Sequence, residues 1–110
     1  MPTYVVLYRF TEQGRKHVKD TVFRSKSIRD EQAQLGFEVV GHYWTQGPYD
    51  LVTIVNAPSE EAMLGGLFSV AEAGNVESQT LRAFSDEEVT EALGPATSPR
   101  SYVGPGSRDW

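Results

Sequence analysis

Residues 37–57 read Phe37-Glu38-Val39-Val40-Gly41-His42-Tyr43-Trp44-Thr45-Gln46-Gly47-Pro48-Tyr49-Asp50-Leu51-Val52-Thr53-Ile54-Val55-Asn56-Ala57. Two runs rich in β-branched and aromatic residues flank Gly47-Pro48, the pattern of two antiparallel strands joined by a turn. The expected strands are residues 37–46 and 49–57. A two-residue type II′ turn wants glycine first and tolerates a negative φ second. A type I′ turn is excluded, because the ring of Pro48 forbids positive φ. A tight II′ hairpin sets Trp44 opposite Leu51 and His42 opposite Thr53. Val40, His42, Trp44, Leu51, Thr53 and Val55 then share one face. Val39, Gly41, Tyr43, Val52 and Ile54 share the other, with Asp50 on that side near the turn.

Upstream, Thr3 to Phe10 alternates Tyr4, Val6, Tyr8 and Phe10 with Val5 and Leu7. Both faces are mainly apolar, so this strand belongs in the middle of a sheet. Thr11 is suited to cap a helix running from Glu12 to Leu35. Val18, Val22, Ile28 and Leu35 form its weak apolar stripe, whose register slips around Thr21 to Ser27, where a bend or break is expected. Gly36 suits the helix end. Downstream, Ser59 caps a second helix with Glu60 and Glu61 in its first turn. Met63, Leu64, Leu67, Phe68 and Ala71 form a clear stripe. Gly65-Gly66 within it costs about 1 kcal/mol per glycine relative to alanine, for which close packing on the sheet is the expected return. Gly74-Asn75 ends the helix. Val76 to Phe84 is a fourth, more polar strand, and Ser85 with Glu88 makes a capping box for a short helix ending at Leu93-Gly94.

The order is therefore βαββαβ: an α+β, ferredoxin-like fold with a four-stranded antiparallel sheet. Right-handed crossovers put both long helices on one face of the sheet. The other face, on which His42 is expected between Val40 and Trp44, stays bare and apolar, which is unusual for a lone soluble chain. Sheet-to-sheet pairing with a second copy would cover it, and a cavity where the sheets splay apart would suit a small molecule. The expected partners are thus the chain itself, as a homodimer or higher homo-oligomer, and a small organic ligand. Residues 1–94 form the expected domain. Residues 95–110 form a Pro/Gly-rich tail that is either disordered or lies on a partner through Tyr102 and Trp110.

Composition narrows the function classes. The 110 residues hold no cysteine, which removes disulfides and thiolate chemistry. The longest apolar run, Tyr4 to Tyr8, is far too short to span a membrane. The start of the chain lacks the pattern of a signal peptide, so a cytoplasmic location is expected. The formal charge of −5 disfavours nucleic acid as the main partner. That charge is uneven. Arg9, Arg15, Lys16, Lys19, Arg24, Lys26 and Arg29 face only Glu12 and Asp20 between positions 9 and 29. Such a run is either a solvated helix face or a patch that attracts an anionic ligand or partner.

Several motifs taken together resemble the GYD domain family: Met1-Pro2-Thr3-Tyr4, Phe10-Thr11-Glu12-Gln13-Gly14, Gly47-Pro48-Tyr49-Asp50-Leu51-Val52 and Leu81-Arg82-Ala83-Phe84. The resemblance runs to about residue 93. It implies pairing as a dimeric α/β barrel, the group to which that family is assigned. It implies no fixed activity, since relatives in the wider group include cofactor-free monooxygenases, isomerases, haem enzymes and ligand sensors. The family often has a basic residue where this chain has Pro48, and neither His17 nor His42 is a family signature.

Three functions follow as expectations. The first is a homo-oligomeric module that binds a small, partly apolar organic molecule in a cavity beneath the sheet. Its ligand contacts would be Tyr8, Trp44, Tyr49, Asp50 and Thr53, with Trp44 stacking on a planar group. The second is a cofactor-independent monooxygenase or isomerase with His42 as catalytic general base. The third is a structural or interaction domain with a filled interface and no ligand. No cofactor is called for, and no His or carboxylate grouping has metal-ligand spacing.

Overall fold

The computed structural model describes residues 1–95. Its elements run β1 (Thr3–Phe10), α1 (Glu12–Lys16), a 3₁₀ turn (Val18–Asp20), α2 (Thr21–Gln34), β2 (Glu38–Trp44), β3 (Leu51–Asn56), α3 (Glu60–Ala73), β4 (Val76–Ala83) and α4 (Asp86–Leu93). The four strands form one sheet in the order β2-β3-β1-β4, with every neighbouring pair antiparallel. This is the ferredoxin-like arrangement, with the doubly apolar β1 inside the sheet as its alternation requires. The tail residues Tyr102 and Trp110 lie outside the described residues.

The local signals act where the sequence puts them. Thr11 Oγ1 accepts from the Gly14 N–H at 3.1 Å and donates to the Gly74 carbonyl at 2.7 Å, tying the start of α1 to the end of α3. Ser59 Oγ accepts from the Ala62 N–H. The Ser85–Glu88 capping box is complete. Its Ser85 backbone N–H, bonded to Glu88, holds that carboxyl below its ordinary range. Gly36 and Gly74 take positive φ at the helix ends.

The core lies between the sheet and α3. Tyr4, Val6 and Val55 from the sheet pack with Phe37, Ala57 and Met63, and Val6 is only 1% exposed. Gly14 is buried so closely against the Asn75 carbonyl that a β-carbon there would collide with backbone.

Several expectations need correction. The hairpin is not a tight II′ turn. Thr45 N–H donates to the Asp50 carbonyl at 2.8 Å and Thr45 Oγ1 to the Tyr49 carbonyl at 2.7 Å, so the strands end at Trp44 and Leu51 around a wider loop. Gly47 keeps its positive φ of 106°. The pairing of His42 with Thr53 and Trp44 with Leu51 survives. A bulge between Val39 and Gly41 then turns Val39 toward the core side. The helix break falls at residues 17–20, earlier than the slipping stripe indicated. The proposed stripe of Val18, Val22, Ile28 and Leu35 is exposed, and Ser25 is the buried residue of α2. A further correction concerns which face the helices cover, and it decides the site.

Candidate functional site: a cleft between helices and sheet

Register assigns each side chain to a face. Tyr4, Val6 and Tyr8 on β1 share a side with Val55, Thr53 and Leu51 on β3 and with His42 and Trp44 on β2. This is the side the helices cover, because Met63 of α3 packs on Val6 and Val55 while α2 bonds to His42. His42 and Trp44 were expected on the bare face, and the structure puts them under the helices. The bare face carries Val5, Leu7, Val52 and Ile54, which are half-buried, with Tyr43 at 61% and Leu81 at 47% exposure.

The two long helices do not close over their side of the sheet. A cleft of about 760 Å³ lies between α2, α3 and the strands. Its floor includes Tyr8, His42, Leu51 and Thr53. The α2 wall includes Arg24, Ser25 and Arg29, and the α3 wall Gly65, Gly66 and Ser69. A single chain thus already holds a cleft, on the helix side of its sheet. The glycine pair also reads differently. An added β-carbon at Gly65 would meet nothing within 4 Å, and one at Gly66 only the Phe37 ring at 3.7 Å. These glycines leave space open and do not serve close packing on the sheet.

A polar hub is fixed on the floor. His42 Nε2 lies 2.6 Å from Ser25 Oγ, and His42 Nδ1 lies 2.9 Å from Thr53 Oγ1. A neutral imidazole donates through one nitrogen and accepts through the other, so two hydroxyls satisfy it completely. Burial, and then the nearby Arg29 guanidinium, push the His42 pKa below its ordinary value and favour that neutral ring. Thr53 is 6% exposed and Ser25 is buried, which locks the ring from both sides. Tyr8, also on the floor, has its phenol pushed up by burial and stays protonated.

The remaining expected ligand residues lie outside the cleft. Trp44 meets His42 edge-on, with ring centroids 4.8 Å apart, and its Nε1–H donates to Thr21 Oγ1 at 3.1 Å. It buttresses the hub and is not among the residues that line the cleft. Asp50 Oδ2 accepts from the Phe10 N–H at 2.8 Å, and the Asp50 N–H donates to the Tyr8 carbonyl. Its carboxylate thus ties the hairpin loop to the end of β1. Tyr49 donates its hydroxyl to Gln79 and lies under the Arg9 guanidinium, 4.9 Å from the ring centre. Of the expected site residues, the structure brings Tyr8, His42 and Thr53 together on the cleft floor. Sequence reasoning missed Ser25, Arg24 and Arg29, whose one signal was the basic run on a helix without a coherent apolar stripe. Among the described residues no grouping of His and carboxylates is suited to a metal ion, and no helix is long and apolar enough to cross a membrane.

Comparison with known proteins gives the family. The glutamine synthetase and cystathionine beta-lyase binding protein of Thermus thermophilus is 32% identical over 84 residues, spanning 76% of this chain and 88% of that protein. The crystal structure of TTHA0845, also from Thermus thermophilus, matches 77% of this chain and 95% of its own at 28% identity and a TM-score of 0.51. MtbAldR matches 77% of this chain with a TM-score of 0.60 at 14% identity, and this chain spans about half (52%) of it. FFRP-DM1 matches 76% of this chain and 100% of its own with a TM-score of 0.52 at 16% identity. The last two likenesses carry the fold alone. The GYD domain family matches residues 4–93, nearly all of the described fold, and the chain belongs to that family.

Proposed function

We propose that this GYD domain protein is a homo-oligomeric module that pairs through its bare sheet face and holds a small, partly apolar organic molecule in the cleft. The observation that carries the reading is the cleft itself. Its volume of about 760 Å³ lies within the range of small-molecule sites, and a few fixed polar groups converge on an otherwise largely apolar lining. The pairing is supported by six apolar side chains on one open sheet face, the composition of a surface that self-association removes from water. A general-base role for His42 is less well supported, because both ring nitrogens already hold hydroxyl partners. The ring serves better as a positioning group that orients Ser25 toward a ligand.

Native mass spectrometry of the full chain, followed by denaturation, tests this. The expected result is a multimer with a mass excess that denaturation releases and that Gly65→Leu diminishes. A single chain at high concentration would contradict the pairing. An empty protein that also fails to bind the dye 1-anilinonaphthalene-8-sulfonate would contradict the ligand site.

A second reading is an adaptor for metabolic enzymes. It is favoured by the name of the Thermus relative, a glutamine synthetase and cystathionine beta-lyase binding protein, and by the exposure of Val22 and Phe23 on α2 and Leu64 and Phe68 on α3. Calorimetric titration with purified glutamine synthetase and with purified cystathionine beta-lyase tests it. Binding that Phe23→Ser and Phe68→Ser remove would support the adaptor, and no heat with either enzyme would oppose it.

A further inference from the structure

The cleft has two unlike walls. The residues that α3 presents are Ala62, Gly65, Gly66, Ser69, Val70 and Ala73, and none is charged. The α2 wall carries two guanidinium groups, Arg24 and Arg29, with Glu31 as the one carboxylate that α2 adds to the lining. Neither arginine makes an ion pair among the described residues, whose two salt bridges are Lys26–Asp30 and Arg82–Glu88. Arg29 is held in place. Its Nε donates to the Ser25 carbonyl at 3.2 Å, one helical turn back, which leaves its terminal amino groups for another acceptor. The same turn carries Ser25, whose hydroxyl is bonded to His42. A half-buried, unpaired cation beside a neutral hydrogen-bonding hub is costly to keep empty-handed and is suited to an anionic acceptor.

We infer that the cleft selects organic acids: an anion with an apolar body, its carboxylate held from α2 by Arg29 with Arg24 nearby, its body lying along the small-residue wall of α3. The inference rests on the ligand-binding reading above and specifies its chemistry. Arg24 and Arg29 belong to the basic run of residues 9–29, in a chain whose overall charge is −5. Long-range attraction by that run would also speed capture of an anion.

The test uses three probes of equal chain length, decanoate, decan-1-ol and decyltrimethylammonium, titrated into the full chain below the micelle concentrations of the two ions and the solubility of the alcohol. Displacement of 1-anilinonaphthalene-8-sulfonate is read in parallel. Decanoate is expected to bind about tenfold or more tightly than the alcohol, the size of one charge-assisted hydrogen-bonded contact, and the ammonium most weakly. Arg29→Gln removes the preference for decanoate while leaving the alcohol's affinity unchanged, and Arg29→Lys retains part of that preference. Gly65→Leu weakens all three. Equal binding of the three probes, abolished by Gly65→Leu, would overturn the acid preference and leave the cleft as a ligand site. A preference that survives Arg29→Gln in a folded variant would overturn the assignment to α2. Failure of every probe to bind or displace the dye would overturn both readings.

Discussion

The two faces of the sheet are alike as strings of residues and unlike as surfaces. Along β1, Tyr4, Val6 and Tyr8 alternate with Val5 and Leu7, and neither set announces which will meet the helices. In the fold, the first set shares its side with His42, Thr53 and the cleft, while the second joins Val52, Ile54, Tyr43 and Leu81 on an uncovered surface. Alternation divides a strand into two faces without choosing between them. The choice is made by the crossover connections, and its trace in the sequence is polar. Thr21 and Ser25 of α2 meet Trp44 and His42, so the buried contacts of that helix are hydroxyls. A buried side made of Thr and Ser reads as a solvent side, which is why the stripe misleads at Val18 and Val22, while Ile28 and Leu35 do line the cleft.

If the faces divide the labour, charge on one should break pairing and spare the cleft. Tyr43→Glu combined with Leu81→Glu is expected to weaken self-association by about 100-fold, roughly 3 kcal/mol, because two carboxylates per chain would be desolvated without partners. Sedimentation equilibrium measures it, and binding of decanoate should persist in the dissociated chain.

The helix layer itself has a closed end and an open side, marked by two glycines. Gly14→Ala drives a β-carbon into the Asn75 backbone and is expected to cost about 3 kcal/mol in denaturant unfolding. Gly65→Ala faces open space in a helix interior and is expected to gain up to about 1 kcal/mol. If both substitutions proved destabilising to a similar degree, the cleft would be closed in solution.

Between these lies the hub. Ser25→Ala leaves His42 Nε2 without its partner and is expected to cost about 1–2 kcal/mol. His42 titrates lower in the folded chain than when unfolded, so the unfolded state takes up its proton first as pH falls. The associated stability is complete above the ordinary histidine pKa of about 6.5 and is lost as pH drops through and below it. His42→Gln should flatten that part of the stability profile. An unchanged slope would place the ring in water.

Much of this fold is legible before any coordinates. Thr11, Ser59 and Ser85 cap where they should, Gly36 and Gly74 end helices, and strand pairing follows His42–Thr53 and Trp44–Leu51. These are local effects within a few residues of the signal. The hairpin loop departs from its local signal because Asp50 bonds across to Phe10, a contact forty residues away that competes with a tight turn. The cleft escapes a local reading for the same kind of reason. Gly65 and Gly66 mark space, and neighbouring residues alone do not distinguish a glycine that permits contact from one that leaves a gap.

The division of the two faces is tested most directly by isotope-filtered NOE spectroscopy on a mixture of labelled and unlabelled full-length chains. Contacts between protomers are expected from the methyls of Leu7, Val52, Ile54 and Leu81, and none from Leu51 or Val70. Contacts between protomers from Leu51 and Val70, with Leu7 and Ile54 silent, would put the partner in the cleft and contradict it.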